Sequence, residues 1–143
     1  MKLQLLFSIG NRRYAMDTSY VVEVIPKIQI QKIPQVVDYV LGLINFGGIP
    51  IPVVDLSLLV IKTPCIEKLH SRIILLKNKS HQIGILGERV TEVREMPNDA
   101  FCDSGVLWKD LTFMGGIANL KDEVIQEINV PKLFDSLANI LET

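Results

Sequence analysis

The chain has 143 residues and a mass of 16.1 kDa, with 48% hydrophobic and 22% charged residues. That composition excludes intrinsic disorder and supplies enough apolar material for a core of its own. Fifteen Lys and Arg stand against 16 Asp and Glu, without a basic cluster, so nucleic acid is not an expected partner. Fourteen valines and 18 isoleucines against four alanines favour strands over a helical bundle.

The first half of the chain predicts short strands separated by turn residues. Residues 27–33 alternate strictly between polar and apolar side chains, which is the period of a strand with one wet face. Pro50 and Pro52 have no N–H to donate, so their strand must leave one edge unpaired there. Asp55 is the expected N-cap of the single helical turn that follows. The strands predicted in this half are residues 2–9, 14–16, 21–25, 27–33, 40–45 and 49–54.

A similar pattern starts again after residues 62–71, a polar stretch that contains proline. A Val-x-Glu-Val motif that ends at Val24 returns at Val93, and Gly42 has a counterpart at Gly115. We therefore expect one domain over residues 1–143, made of two half-domains packed about a pseudo-two-fold axis. Their expected limits are about residues 1–61 and 72–143, and the strands predicted in the second are residues 72–76, 82–86, 89–93, 113–117 and 123–128.

The last segment of the chain predicts a helix that docks on the strands. Pro131 suits a first helical position, and Asn129 or Val130 lies where the N-cap belongs. Apolar residues then recur at helical spacing on one face, at Leu133, Phe134, Leu137, Ile140 and Leu141.

The residue types that catalysis or a metal site would need do not come together in the sequence. Nucleophile, phosphate-loop and dinucleotide motifs are missing. Cys65 and His70 make only two of the four ligands that a structural zinc requires, and His81 stands apart from both. Cys65 and Cys102 form no CxxC pair, which favours reduced thiols. We expect no enzymatic activity, no cofactor and no metal.

The start of the chain predicts neither export nor a membrane anchor. The apolar stretch over residues 3–8 is too short for the core of a signal peptide. The longest uncharged run, residues 39–54, is interrupted by three glycines and two prolines, so it does not predict a membrane helix. We expect a cytoplasmic protein with no direct membrane insertion.

The most specific stretch of the sequence is residues 33–56. A proline is followed by a Gly-x-x-Asn-x-x-Gly turn, a short apolar run, and Pro-Val-Val-Asp-Leu. The matching positions are Gly42, Asn45, Gly48, Pro52, Val53, Val54, Asp55 and Leu56. This pattern resembles the hallmark of the CheW-like family, the adaptor domain of chemosensory arrays. The resemblance implies a mainly β fold with two five-stranded SH3-like barrels around a shared core, plus a short C-terminal helix.

The resemblance also implies a function in chemotaxis signal transduction. A CheW-like protein is a non-catalytic scaffold that joins the cytoplasmic tip of a chemoreceptor, a methyl-accepting chemotaxis protein, to the regulatory domain of a CheA-type histidine kinase. A groove between the barrels would hold a receptor helix, and the barrel ends would pair with the kinase. The residues carried over by motif position as receptor or kinase contacts are Val21, Glu23, Gly42, Asn45 and Gly47.

The sequence departs from the family pattern at Gly47, where an arginine usually precedes the second glycine of the turn. Glycine supplies neither the charge nor the forked hydrogen bonds of that arginine. One alternative is therefore a divergent adaptor with altered partners, serving pili or gliding. Another is a small double-barrel module that binds a ligand or nucleic acid. An arginine at position 47 would strengthen partner binding if φ is negative there, and would cost about 1 kcal/mol of stability if φ is positive.

Overall fold

The computed structural model describes residues 1–34, 36–65, 71–106, 108 and 110–138. Within these ranges the chain forms nine strands, two short α-helices and a 3₁₀ turn at Thr18–Tyr20. The strands are β1 Lys2–Ile9, β2 Arg12–Asp17, β3 Val21–Pro26, β4 Val40–Phe46, β5 Ile49–Val54, β6 Arg72–Asn78, β7 His81–Met96, β8 Met114–Leu120 and β9 Glu123–Ile128. The helices are α1 Leu56–Ile61 and α2 Val130–Ser136.

The strands form two groups of five that share β7. The first half of β7 pairs with β6 and, in parallel, with β5, so that the first group runs β4-β5-β7-β6-β3. The second half of β7 pairs with β1, and the second group runs β7-β1-β2-β9-β8. A mainly β fold of two five-stranded SH3-like barrels with a short C-terminal helix, as predicted, is confirmed. We call the two groups barrel 1 and barrel 2.

The two barrels are not the two halves of the sequence. β1 and β2 belong to barrel 2, whereas β6 pairs with β3 in barrel 1. The expected division at about residues 1–61 and 72–143 therefore differs from the strand pairing. The physical reason is that β7 is a single 16-residue strand long enough to serve both barrels. Similar short strands in the sequence do not specify which edges meet, because pairing depends on contacts far apart along the chain.

Three apolar clusters fill the structure. One fills barrel 1 and includes Ile44 and Ile73, and one fills barrel 2 and includes Leu6 and Ile125. The largest lies between them and takes side chains from both barrels, among them Leu5, Phe7, Met16, Ile74 and Ile85. We call this third cluster the shared core.

Helix α2 docks on the shared core as predicted. Asn129 is its N-cap and accepts a hydrogen bond from the backbone N–H of Lys132 at 3.0 Å. Leu133, Phe134 and Leu137 are buried in the shared core. Ile140 and Leu141, predicted on the same face, lie outside the described residues, as does His70.

Two strand predictions are wrong. Residues 27–33 do not form a strand, and in the described chain only Gln31 pairs with β4, at Leu43. Residues 82–86 and 89–93 are parts of one strand rather than two, joined through a bulge where Arg89 has φ +48°. The other strands lie within a few residues of their predicted ranges.

The predicted cap and edge are confirmed. Asp55 Oδ1 accepts a hydrogen bond from the Ser57 N–H at 3.0 Å at the start of α1. Strand β5 pairs with β7 only at Val53 and Val54 among the described residues. Pro50 and Pro52, which have no N–H to donate, therefore lie on a part of the β5 edge that β7 does not cover.

Candidate protein-interaction site

The turn between β4 and β5 holds two of the sequence-predicted contact residues. Phe46 and Ile49 form the last pair of the hairpin, so Gly47 and Gly48 are a two-residue loop. Both glycines have positive φ, +59° and +82°, the combination that a type I′ hairpin turn requires. A Cβ built on Gly47 would meet no described atom within 4 Å, so backbone conformation rather than crowding favours glycine here.

The side chain of Asn45 stabilises this turn through a hydrogen bond to its backbone. Its side-chain oxygen accepts a hydrogen bond from the Gly48 N–H at 2.9 Å, and the Asn45 side chain is otherwise exposed. The structure therefore brings Asn45 and Gly47 together on one preformed, exposed loop. Without the arginine of the family pattern, this loop presents backbone groups and the half-exposed side chain of Ile49.

Gly42 has a different role from the other predicted contact residues. It is buried, with φ +145°, and a Cβ at this position would overlap the carbonyl group of Gln31. Next to it, Leu43 and Gln31 exchange both backbone hydrogen bonds at 2.8 Å. Gly42 therefore lets residues around Gln31 approach β4, and its burial favours this structural role over direct contact with a partner.

Val21 and Glu23 lie on β3, which pairs with β6. The Asp17 carboxylate accepts a hydrogen bond from the Ser19 N–H at 2.9 Å and caps the 3₁₀ turn that leads into the strand. A register shift between Val21 and Glu23 leaves Val22 and Glu23 exposed, while Val21 packs partly on the shared core. Four of the five predicted residues thus fall on two strands that belong to separate pairings of barrel 1, and Gly47 lies in the β4–β5 turn.

An exposed apolar pair on barrel 2 was missed by the sequence analysis. Leu3 on β1 and Val93 on β7 are 52% and 56% exposed. Val93 pairs with Leu5, a buried member of the shared core, and Leu3 lies two residues before Leu5 on the same face of β1. Leu3 and Val93 therefore extend the shared core to the surface, and we call them the apolar patch. Leu3 follows the alternation of residues 2–5, whereas Val93 stands among polar residues, and neither pattern reveals an exposed apolar pair.

Comparison with known proteins agrees with this fold and hallmark. The family model of the CheW-like domain matches residues 4–138. The chain belongs to the CheW-like family. The curated "Chemotaxis protein CheW" of Klebsiella aerogenes is 22% identical over 134 residues, covering 92% of this chain and 81% of the relative. The crystal structure of the scaffolding protein TtCheW from Thermoanaerobacter tengcongensis superposes with a TM-score of 0.81 at 30% identity, covering 89% of this chain and 83% of that chain.

A network of four charged side chains links strands β2, β7 and β9 of barrel 2 in this CheW-like domain. Arg94 donates to Glu92 at 2.8 Å and to Glu123 at 2.7 Å, which ties β7 to β9. Arg13 on β2 donates to Glu92 at 3.4 Å and to the Ser8 hydroxyl at 3.1 Å. The hydrogen bonds to Glu123 and then to Glu92 raise the pKa of Arg94 above its ordinary value. The network is internally neutral, so it is a structural fastening rather than a docking site for a charged partner.

The described part of the CheW-like domain contains no set of three or more Cys, His, Asp or Glu side chains arranged to hold a metal ion. None of its described helices has the length and apolar character needed to cross a bilayer. Cys65 and Cys102 are not joined in a disulfide.

Proposed function

We propose that this CheW-like chain is a non-catalytic, cytoplasmic adaptor that couples chemoreceptors to a CheA-type histidine kinase in a chemosensory array. The observation that carries the proposal is the apolar patch, where Leu3 and Val93 each leave about half of their surface in solvent beside a packed core. Exposed apolar surface continuous with a core is typical of sites of protein association. An adaptor of this kind acts by holding two partners together and needs no nucleophile or cofactor.

The receptor is the partner we assign to the apolar patch. A receptor helix would place an apolar stripe on Leu3 and Val93, and the 3₁₀ turn at Thr18–Tyr20, which contacts both β1 and β6, leads directly to Val21. Covering a half-exposed Leu or Val contributes about 1 kcal/mol each. Glu23, exposed on the same strand as Val21, would face a basic residue at the rim and add selectivity more than affinity.

The kinase regulatory domain is the partner we assign to the β4–β5 turn. The hydrogen bond from Gly48 to Asn45 holds the loop in one conformation before any partner arrives. A preformed loop loses little conformational freedom on binding, which favours affinity. Because Gly47 brings no guanidinium, the contact would depend on backbone groups and on Ile49, which is 49% exposed.

The proposal is tested by titrating the purified chain with a receptor-tip fragment and with a CheA regulatory domain, each measured by calorimetry. Val93→Thr keeps the shape of the side chain and makes the patch polar, so we expect three- to tenfold weaker receptor binding. Val124→Thr is the matched control, since Val124 is 48% exposed on β9, outside the patch. We expect kinase binding to be unchanged by either substitution.

Two outcomes would overturn the assignment in different ways. Equal losses from Val93→Thr and Val124→Thr would remove the apolar patch from the receptor contact. Failure of the native chain to bind either partner would favour the second candidate, a CheW-like adaptor for an array with altered partners. Gly47 in place of the family's arginine is the observation that favours this second candidate.

A further inference from the structure

The edge of β4 is only partly covered. Phe46 and Ile49 close the hairpin, so alternate residues of β4 turn their backbone groups toward β5 or away from it. Leu43 faces away, and its N–H and C=O both bond to Gln31. Asn45, two residues on, turns its N–H and C=O toward the same outer edge. In the described chain the ladder with residues 27–31 stops at Gln31, one step short of Asn45.

Residues 27–31 are in register to continue that ladder. The antiparallel pair of Gln31 with Leu43 sets Ile30 opposite Ile44, Gln29 opposite Asn45, and Ile28 opposite Phe46. In this register the apolar side chains of the segment lie on the same face as the inward-facing side chains of β4. Ile44 is buried in the core of barrel 1, and Ile30 and Phe46 already pack against it, whereas Ile28 remains 39% exposed. The segment whose strict alternation predicted a strand thus lies beside a strand edge that could accept it in register.

An open depression of about 380 Å³ marks the place where the ladder is interrupted. Gln29 and Gln31 of the segment line it together with Leu43, Ile44, Asn45 and Pro50 of the β4–β5 hairpin. The depression is the space between residues 29–31 and β4, which are in register but not yet paired beyond Gln31.

The chain's own segment is the occupant that these observations favour over a strand from another protein. The segment is already joined to β4 at Gln31, and its apolar side chains lie on the same face as those of β4. Gly42 lacks the side chain that would block the approach of Gln31. We propose that residues 27–31 are a clasp that closes onto β4, with Gln29 exchanging backbone hydrogen bonds with Asn45 and Ile28 becoming buried. Closure adds backbone hydrogen bonds to Asn45, whose side chain already holds the turn at Gly47 and Gly48, so the clasp makes that preformed turn more rigid. Only this last consequence rests on the proposed function; closure itself is a property of the free chain.

The test is backbone amide hydrogen exchange by NMR on the free, full-length chain. Gln29→Pro removes the N–H that would bond to Asn45, and Gln29→Ala is the matched control because it keeps that N–H. In the native chain and Gln29→Ala, we expect the Asn45 amide to exchange at least threefold more slowly than in Gln29→Pro. We also expect a cross-strand nuclear Overhauser effect between the Hα atoms of Ile30 and Ile44, lost in Gln29→Pro. Unchanged exchange at Ile51 verifies that each variant is folded.

Equal exchange of the Asn45 amide in all three chains would overturn the clasp. So would protection of Asn45 that arises only after the CheA regulatory domain is added while the Gln29 amide stays unprotected, since the edge would then be taken by the partner. Titration of the same samples separates the two proposals. A clasp that closes in a chain that binds neither partner leaves this inference standing and removes the proposed function.

Discussion

The carbonyl of Gln31 occupies the space that a Cβ on Gly42 would need. The two backbones approach this closely because Leu43 and Gln31 exchange two hydrogen bonds of 2.8 Å across the same point. Barrel 2 repeats the arrangement, with Cys102 and Ile117 exchanging bonds of 3.0 and 2.8 Å beside Gly116, where a Cβ would meet the Cys102 backbone. In each barrel a segment outside the strands is therefore joined to an edge strand by one backbone pair, and a neighbouring glycine leaves room for it.

The first prediction is that Gly42→Ala costs about 2–4 kcal/mol of unfolding free energy. Strain at φ +145° contributes about 1–3 kcal/mol, and weakening of the Gln31–Leu43 pair adds about 1 kcal/mol. Gly105→Ala is the control, because Gly105 has φ +76° with no described atom within 4 Å of the added Cβ. Urea denaturation measures both, and equal losses would mean that the overlap with Gln31 is relieved at little cost.

The strands were predictable because their side chains alternate over a few residues. β1, β5 and β9 follow from period-two patterning and turn residues, and Asp55 and Asn129 were identifiable as caps from their local sequence. These features depend on neighbours in the chain, which a single sequence displays directly.

What the sequence could not reveal depends on partners far along the chain. Residues 27–33 have the right alternation but pair only at Gln31, because the edge that would accept them is set by the fold around Gly42. Leu3 follows a core pattern yet is exposed, as is Val93 beside it, because the shared core ends at Leu5. The candidate turn at Asn45 and Gly47 was identified from its motif, but the apolar patch has no local signature.

The second prediction concerns the charge network of barrel 2. Arg94→Gln should lower the unfolding free energy by about 0.5–1 kcal/mol, a modest value because the side chains of Arg94, Glu92 and Glu123 are about one-third exposed and screened by solvent. The loss should shrink in 1 M salt, where the screening length falls to about 3 Å. Lys121→Gln, in the exposed turn between β8 and β9, is the control. A loss that does not respond to salt would contradict an electrostatic fastening.

The same substitution carries a prediction about pH. The pKa of Arg94 is raised in the folded chain, so its contribution is fully present below the ordinary pKa of an arginine and is lost only as pH rises through the higher folded pKa. The stability difference between native chain and Arg94→Gln should therefore be constant from about pH 7 to about pH 10. Chemical denaturation at several pH values measures it, and a difference that declines within that window would show that another group titrates in the network.

The third prediction is that the phenol of Tyr14 ionises at a higher pH than an ordinary tyrosine. Burial raises the pKa of Tyr14 above its ordinary value of 10.0, and nearby Arg12 only partly offsets this. Because the unfolded chain releases this proton first, the contribution of neutral Tyr14 to stability is complete below pH 10.0 and declines as pH rises through the folded pKa. Ultraviolet titration should show a late step that Tyr14→Phe removes and Tyr20→Phe leaves in place. A late step that survives in Tyr14→Phe would assign the buried phenol elsewhere.

The fourth prediction returns to the turn that departs from the family pattern. Gly47 has φ +59°, so Gly47→Arg should lower the unfolding free energy by about 1 kcal/mol, through backbone strain alone since the surrounding space is open. The variant should still fold, because Lys79 and Arg89 already adopt φ +58° and +48° in this chain. Gly47→Asn is the control and should cost less, since asparagine tolerates this region and is favoured in type I′ turns. Urea denaturation of the three chains decides the matter. If Gly47→Arg is as stable as the native chain, the turn does not require glycine, and the missing arginine must be explained by what the turn contacts rather than by its backbone.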